Sequence, residues 1–568
     1  MESTPAPSSF FAQWWARLLA VLAVCGCNFF AHLGALEMGL MEVRNFVAAR
    51  EMAAGGSWLI PTMNGQLRLA KPPLPTWAVA TLMHLANGSA DPGLLRLPAA
   101  IMATLLVLFF WGLARELTRD AASEALAPGR TAWLAALVLG SSLLTVTVGR
   151  EGHWDIFSNG FAVGSLWLLA RGWNRPAPAY ASFAGAGLLL GCTFLSKGPV
   201  SLYTIVLPFV AAYASRWQPG GRARLRGHWR GALVALGVAA LLGGAWPLYV
   251  WLHVPAAAAA VARTEATSWG DRHVQPLWYY FNFVVFAGVW AVAAAAALAV
   301  PYARRRAAPF VPYALALAWL LASLVLLSVV PEKKERYMLP LLPPLALLLT
   351  GLLRYWEQEF AARRAAAGPD HWLLRGWAGA LLLACVGLPV FVGATRLPGF
   401  GLTSVPFVSA LLVFGGLARW VVRGGWQHRR PAVLITASVL AMGALMLLLV
   451  PAYPALRSRR AEAGLRRLAQ ARTTPSWQNK PWLALNELHM EQVWVAGRAV
   501  PTWVSPADSL PALPALVFAA KPLARRLPAA WRGRVRLAST DSFYLGARRK
   551  DGKFFVGVLE PATGPGSR

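Results

Sequence analysis

The chain has 568 residues, 57% of them hydrophobic and only 14% charged, with a formal net charge of +30. A soluble chain of this length would divide into several domains and carry far more charge, so the composition excludes a soluble globular protein and points to a polytopic membrane protein. The positive excess does not read as a nucleic-acid-binding face, because the Arg residues lie in short loops between apolar runs, where they set membrane topology.

Apolar segments fall near 16–36, 95–114, 131–149, 156–170, 178–195, 199–215, 231–252, 277–301, 310–330, 338–353, 376–395, 402–418 and 432–451, which predicts thirteen transmembrane helices. The stretch 74–88 is short and opens on prolines; it is left at the surface because alternate loops then hold 21 Arg, against eight Arg and Lys in the short loops of the other side. By the positive-inside rule the N-terminus lies inside and the C-terminus outside. Cys27 follows Val24-Cys25-Gly26 as in a lipoprotein cleavage site, but the apolar run continues to Leu36, so the first segment reads as an uncleaved span. Cys25, Cys27, Cys192 and Cys385 all fall in apolar segments and read as packing residues. The Ala-rich runs 255–262 and 293–298 read as helix.

The expected division is a transmembrane domain over 1–454, with an outer juxtamembrane region at 37–94, and a small outer α+β domain over 455–568. The tail is polar, with Pro-rich connections and β-like runs VWVAGRAV, ALVFAA, VRLAST, FYLGARR and FFVGVLE.

Outward-facing cations are the exceptions that need a reason, and they come with local signatures. These are Lys71-Pro-Pro-Leu74, Arg150-Glu-Gly-His-Trp-Asp155, Ser196-Lys-Gly-Pro199, Arg272-His273 ahead of Gln-Pro-Leu-Trp-Tyr-Tyr280, and Glu332-Lys-Lys-Glu-Arg-Tyr337. Each stands where an apolar span meets the outer face. Such a ring of cations suits an anionic lipid head group, with phosphate neutralised by Lys and gripped by the planar fork of Arg. Glu42 and Asp155 are the candidate carboxylates for orienting or deprotonating a nucleophile. Each also has a plain structural reading: Asp155 as an interfacial helix cap, Glu42 as a local ion pair with Arg44 or Arg50. His153 and His273 lack the paired spacing of metal ligands and read as polar pocket residues. Trp278, Tyr279 and Tyr280 read as an interfacial aromatic belt, and Arg96 as an anchor.

Glu42-Val-Arg44 with Ala49-Arg-Glu-Met52, then Trp58, Pro61, Asn64-Gly65 and Lys71-Pro-Pro-Leu74, resembles the first outer loop of the protein O-mannosyltransferase-like membrane glycosyltransferases. Within that group the chain looks most like the bacterial aminoarabinose transferases that modify lipid A. Arg150–Asp155, Ser196–Pro199, His273–Tyr280 and Glu335–Leu339 resemble later signatures of the family in the same order, so the likeness covers roughly residues 16–355. Family loops often carry an acidic residue just before the Glu matched by Glu42; here that place is Met41.

The resemblance implies a GT-C fold in the bacterial inner membrane, a polyprenyl-phosphate (undecaprenyl-phosphate) sugar donor and a periplasmic acceptor: lipid A or another envelope glycan, lipid or protein. The expected reaction is an inverting transfer with Asp155 or Glu42 as the catalytic carboxylate. Lys71, Lys197, Arg336, Tyr337 and Arg44 are expected at the donor phosphate, and Arg150, His153, Arg272 and His273 in positioning the substrates. No obligatory metal, no nucleic-acid partner and a monomer are expected. A transporter or flippase of a lipid-linked anion would use the same cations, but such proteins are commonly built from repeats with a midplane site, and the sequence shows neither feature. A scaffolding protein gives no reason for the cations to cluster.

Overall fold

The computed structural model describes residues 14–176, 179–215, 218–271, 273–362, 368–454, 474–486, 488–503, 510–519, 521–544 and 553–562. They form two compact units: one of Met1–Leu36, Leu69–Pro75 and Asp91–Ala452, the other of Glu37–Arg68, Thr76–Ala90 and Tyr453–Arg568. Most of the juxtamembrane region expected at 37–94 is therefore grouped with the C-terminal tail, while Leu69–Pro75 and the last residues of that region, from Asp91 on, belong to the first unit.

In the first unit every one of the expected apolar segments is helical over most of its length. By length and composition seven helices among the described residues can cross a membrane. An eighth span would be the pair Arg130–Gly140 and Leu143–Gly149, which is bent by 62°. The helices Trp14–Phe30, Leu202–Ala214 and Tyr313–Val329 are apolar but shorter. Leu74–Leu85 has 12 residues, so it rises only about 18 Å, well short of the ~30 Å hydrocarbon core.

Small residues let these helices approach closely, as membrane helices require. A Cβ added at Gly187 of Tyr180–Lys197 would lie 2.4 Å from the Ala235 carbonyl oxygen of Trp229–His253. The opposite surface of Trp229–His253 exposes Leu233, Leu236, Leu241, Leu248 and Leu252, which in a bilayer face lipid. The segment Leu277–Trp290 is wound in tight 3₁₀ turns and breaks at Gly288 (φ 66°), where a Cβ would meet Leu143 at 2.8 Å.

The second unit joins a helix, a hairpin and a sheet. The helix Leu40–Ala53 begins where the Glu42 carboxylate accepts the Gly39 N–H at 2.9 Å, satisfying one of its orphan donors. Strands β1 (Thr62–Met63) and β2 (Gln66–Leu67) pair antiparallel across Asn64-Gly65. Both turn residues have positive φ, 57° and 74°, as a two-residue hairpin turn demands.

The tail carries strands β3 (Trp482–Ala484), β4 (Ala515–Ala519), β5 (Val535–Tyr544) and β6 (Lys553–Pro561) in the order β3-β4-β6-β5, with β3 and β4 parallel and the other pairs antiparallel. Ala515, Val517 and Ala519 alternate onto a core with Leu483, Leu523, Trp531 and Leu559. Three of the expected β-like runs fall on β4, β5 and β6; FYLGARR enters β5 at Phe543 and Tyr544, and the rest of it lies outside the described residues. VWVAGRAV is corrected: Met490–Ala496 is a helix. The Gln492 side chain accepts the His489 N–H at 3.0 Å at its start, and Gly497 ends it with φ 71°. These end signals outweigh the β-propensity of Val493, Trp494 and Val495.

Candidate functional site

Asp155 lies in the first turn of Trp154–Trp173, a helix capped by His153, whose Nδ1 accepts the Asp155 N–H at 3.3 Å. Lys197 is the last residue of Tyr180–Lys197, where a cation is favoured by the helix dipole. Arg336 and Tyr337 belong to the tight helix Glu335–Leu341 that leads into Leu342–Ala361. Residues 42 and 181 positions beyond Asp155 thus meet it. One Asp155 carboxylate oxygen pairs with the Lys197 ammonium, and the other with Arg336 Nε at 3.1 Å. His153 Nδ1 stands 3.4 Å from the second oxygen.

Asp155 is 5% exposed. A carboxylate this deeply placed needs cationic partners to offset lost hydration, and the two cations need it in return. Tyr337 gathers the same charges on its ring face: Lys197 Nζ lies 4.3 Å from the ring centroid, the Arg336 guanidinium 5.4 Å and Lys334 Nζ 5.7 Å. Lys71 is near enough to Lys197 to act on its charge, and its ammonium pairs with Glu265 at 3.1 Å.

Glu151 and Glu332, which had no assigned role, complete the cluster together with Tyr280, which was expected in an interfacial aromatic belt but is fully buried. Glu151 bonds His153 Nε2 at 2.5 Å. Because Nδ1 accepts from the backbone, the imidazole proton sits on Nε2 and is donated to Glu151. Burial would raise the Glu151 carboxyl, but the His153 bond and the Arg336 charge hold it below the usual carboxylate range. Glu332 pairs with Lys334. Tyr280, wholly buried, accepts the Lys334 N–H on its phenol oxygen at 3.2 Å. Lys333 ties the two loops together, its ammonium donating to the Gln275 carbonyl (3.1 Å) and the Val330 carbonyl (2.7 Å). Glu151, Glu332 and Tyr280 stood inside the quoted motifs; no sequence signal gave their partners. Among the described residues no three His, Cys, Asp or Glu side chains are placed to hold a metal.

Other expected site residues lie elsewhere. Arg150 is 1% exposed and spends its guanidinium on backbone: it donates to the carbonyls of Asn28 (3.0 Å), Ala31 (2.6 Å) and His32 (3.0 Å). Arg96 does the same for Leu33 and Leu36, each at 2.8 Å. Arg150 thus holds the C-terminal end of the first helix, which ends at Phe30, and Arg96 holds the turn that follows it. His273 is exposed, with φ 49°, and its carbonyl accepts the Lys333 N–H at 3.2 Å. Arg272 lies outside the described residues. Glu42 and Arg44 belong to the second unit, where Glu42 is buried and Arg44 half-buried on Leu40–Ala53.

Residues 70–243 match the family described as dolichyl-phosphate-mannose-protein mannosyltransferase, and residues 267–401 match the Alg9-like mannosyltransferase family. The structure superposes on ArnT from Cupriavidus metallidurans, crystallised with undecaprenyl phosphate, with a TM-score of 0.66 at 18% identity, covering 99% of this chain and 100% of that one. The chain is a GT-C membrane glycosyltransferase. This glycosyltransferase is also 28% identical, over 73% of its length and 71% of the relative's, to the undecaprenyl phosphate-alpha-4-amino-4-deoxy-L-arabinose arabinosyl transferase of Pseudomonas aeruginosa strain UCBPP-PA14. A relative of the same name from Shewanella sediminis is 27% identical over 60% of this chain and 61% of its own. As a GT-C enzyme it is a multi-pass membrane protein, and its cation-rich cluster sits at the ends of the helices of the first unit.

Proposed function

We propose that the enzyme transfers a sugar, with inversion, from a polyprenyl-phosphate donor to an envelope acceptor on the periplasmic face of the bacterial inner membrane. The observation that carries this reading is Asp155 clasped between Lys197 and Arg336, beside Tyr337. The named substrate of the Pseudomonas relative supports an undecaprenyl-phosphate-linked donor, and lipid A is the first acceptor to test.

In the proposed reaction the acceptor hydroxyl oxygen bonds to the anomeric carbon on the face opposite the phosphate. The bond from that carbon to the phosphate oxygen breaks, its electron pair staying on the phosphate. The hydroxyl proton passes to a carboxylate. Lys71, Lys197 and Arg336 carry the charge that grows on the departing polyprenyl phosphate, with Tyr337 assisting at the same group; Arg44, in the second unit, is a further expected contributor to transfer. Asp155 is the preferred base and Glu42 the residue that orients the acceptor.

While Asp155 neutralises Lys197 and Arg336 it is a poor base. A donor phosphate brings its own negative charge to those cations and competes with the carboxylate. Binding of the donor thus loosens Asp155 and makes it more basic at the moment a proton must be taken. Purified enzyme given a synthetic short-chain polyprenyl-phosphate sugar and lipid A should release polyprenyl phosphate and yield glycosylated lipid A by mass spectrometry. Movement of the donor across liposomes with no polyprenyl phosphate released would overturn the reading.

A further inference from the structure

Three residues of the outer loop that resemble family motifs have no place in the reaction above: Arg50, Glu51 and Asn64. All three belong to the second unit and direct polar atoms to protein partners within it. The Arg50 guanidinium donates twice to the Val493 carbonyl and once to the Trp494 carbonyl, all at 3.2 Å, at the C-terminal end of the tail helix Met490–Ala496. A cation there meets carbonyls of the helix end, of which Trp494 also accepts the Gly497 N–H at 3.0 Å, and the negative end of the helix dipole. It also lies 5.7 Å from the Trp494 ring centroid, and Phe46, one turn earlier on the same helix as Arg50, lies 5.8 Å from that ring.

Glu51, the next residue, reaches the hairpin instead. Its carboxylate accepts the Thr62 hydroxyl at 2.6 Å, the Asn64 N–H at 2.6 Å and the Gly65 N–H at 3.3 Å. The hairpin then reaches the tail. The Asn64 side chain donates to the Val500 carbonyl at 2.9 Å and accepts the Val500 N–H at 2.7 Å, imitating a pair of strand hydrogen bonds. Asn64 is 5% exposed, so these bonds form away from solvent.

We propose that Arg50, Glu51 and Asn64 are positioning residues: they clamp residues 493–500 of the tail to the helix Leu40–Ala53 and its hairpin, fixing the conformation of the helix that carries Glu42 and Arg44. The C-terminal domain then serves the transfer reaction without touching substrate. The effect on activity rests on the reading of Glu42 and Arg44 as contributors to transfer.

The test uses the full-length enzyme. Asn64→Gly removes both bonds to Val500 while keeping a residue that tolerates positive φ, and Arg50→Met removes the carbonyl donors while keeping the aliphatic stem. Each should speed amide hydrogen exchange at 490–500 and 60–67 and leave exchange in 154–173 unchanged. Each should lower kcat for transfer, by up to the order of 10²-fold if the carrying helix shifts by about 1 Å. Arg50→Lys, which keeps a cation for the carbonyls, should fall between parent and Arg50→Met. Unchanged exchange in both variants would show that there is no clamp. Faster exchange with kcat within twofold of the parent would show that the clamp does not serve catalysis. If Glu42→Gln and Arg44→Gln are fully active while Asn64→Gly is slow, the clamp stands and the assignment of Glu42 and Arg44 fails.

Discussion

Asp155→Asn keeps the shape of the side chain and deletes one charge, and its effects on binding and on turnover have opposite signs. In the resting enzyme the Asp155 carboxylate occupies Lys197 and Arg336, and the side chains of Asp155 and Lys197 are only 6% and 9% exposed. At an effective dielectric of about 20, one close ion pair amounts to ~4 kcal/mol before desolvation is subtracted. A donor phosphate must recover that interaction from the carboxylate. If about a third of one pair is lost in the exchange, removing Asp155 should tighten polyprenyl-phosphate binding by ~10-fold, since about 1.4 kcal/mol is a factor of ten. Turnover should fall by ~10²-fold or more, because the amide cannot take the acceptor proton. The variant should also be less stable when empty, with two cations left short of a counter-charge in a buried place. Saturating polyprenyl phosphate should restore its melting temperature by linkage. The measurements are titration calorimetry with short-chain polyprenyl phosphate, detergent-solubilised thermal unfolding with and without that ligand, and release of polyprenyl phosphate during turnover. Binding no tighter than the parent's would refute the competition argument; parental turnover would remove Asp155 from the chemistry.

Lys71→Ala loses a partly exposed ion pair with Glu265, worth at most about 1 kcal/mol, so the protein should stay folded while KM for the donor rises; unchanged KM would take Lys71 out of the donor site. Arg150→Lys cannot reach three carbonyls at once and should lower the unfolding temperature, while donor affinity per folded molecule stays at the parental value; a selective loss of affinity would return Arg150 to substrate binding. Glu42→Gln still accepts the Gly39 N–H, so the helix start should survive and slower turnover would report the lost charge; full activity would leave Glu42 as a helix cap. Single cysteines in a background lacking the four native ones should be shielded from an impermeant thiol reagent in intact cells at Ala125 and Gly227 and labelled at Ala90 and Ala266; labelling at 227 would overturn the topology.

The sequence by itself determined the helical membrane body, because each span must satisfy its own backbone and bury or face hydrocarbon, which leaves an unbroken apolar run in the chain. It also carried the signs of the site: Asp155, Lys197, Arg336 and Tyr337 are polar groups at span ends, where an unneeded charge is costly. What it did not hold was who meets whom. Arg150 and Asp155 share one short motif, yet a turn of backbone sends the first to the carbonyls of the opening helix and the second to Lys197 and Arg336. Arg50 and Asn64 read as parts of an outer loop, but their partners at Val493 and Val500 lie more than four hundred residues away. The tail helix Met490–Ala496 has the residues of a strand, and its end caps prevail only in the folded unit. Hydropathy is a property of a segment and survives in one dimension. Ion pairing and capping depend on distances of a few ångströms between remote residues, and those are set only when the tertiary structure forms.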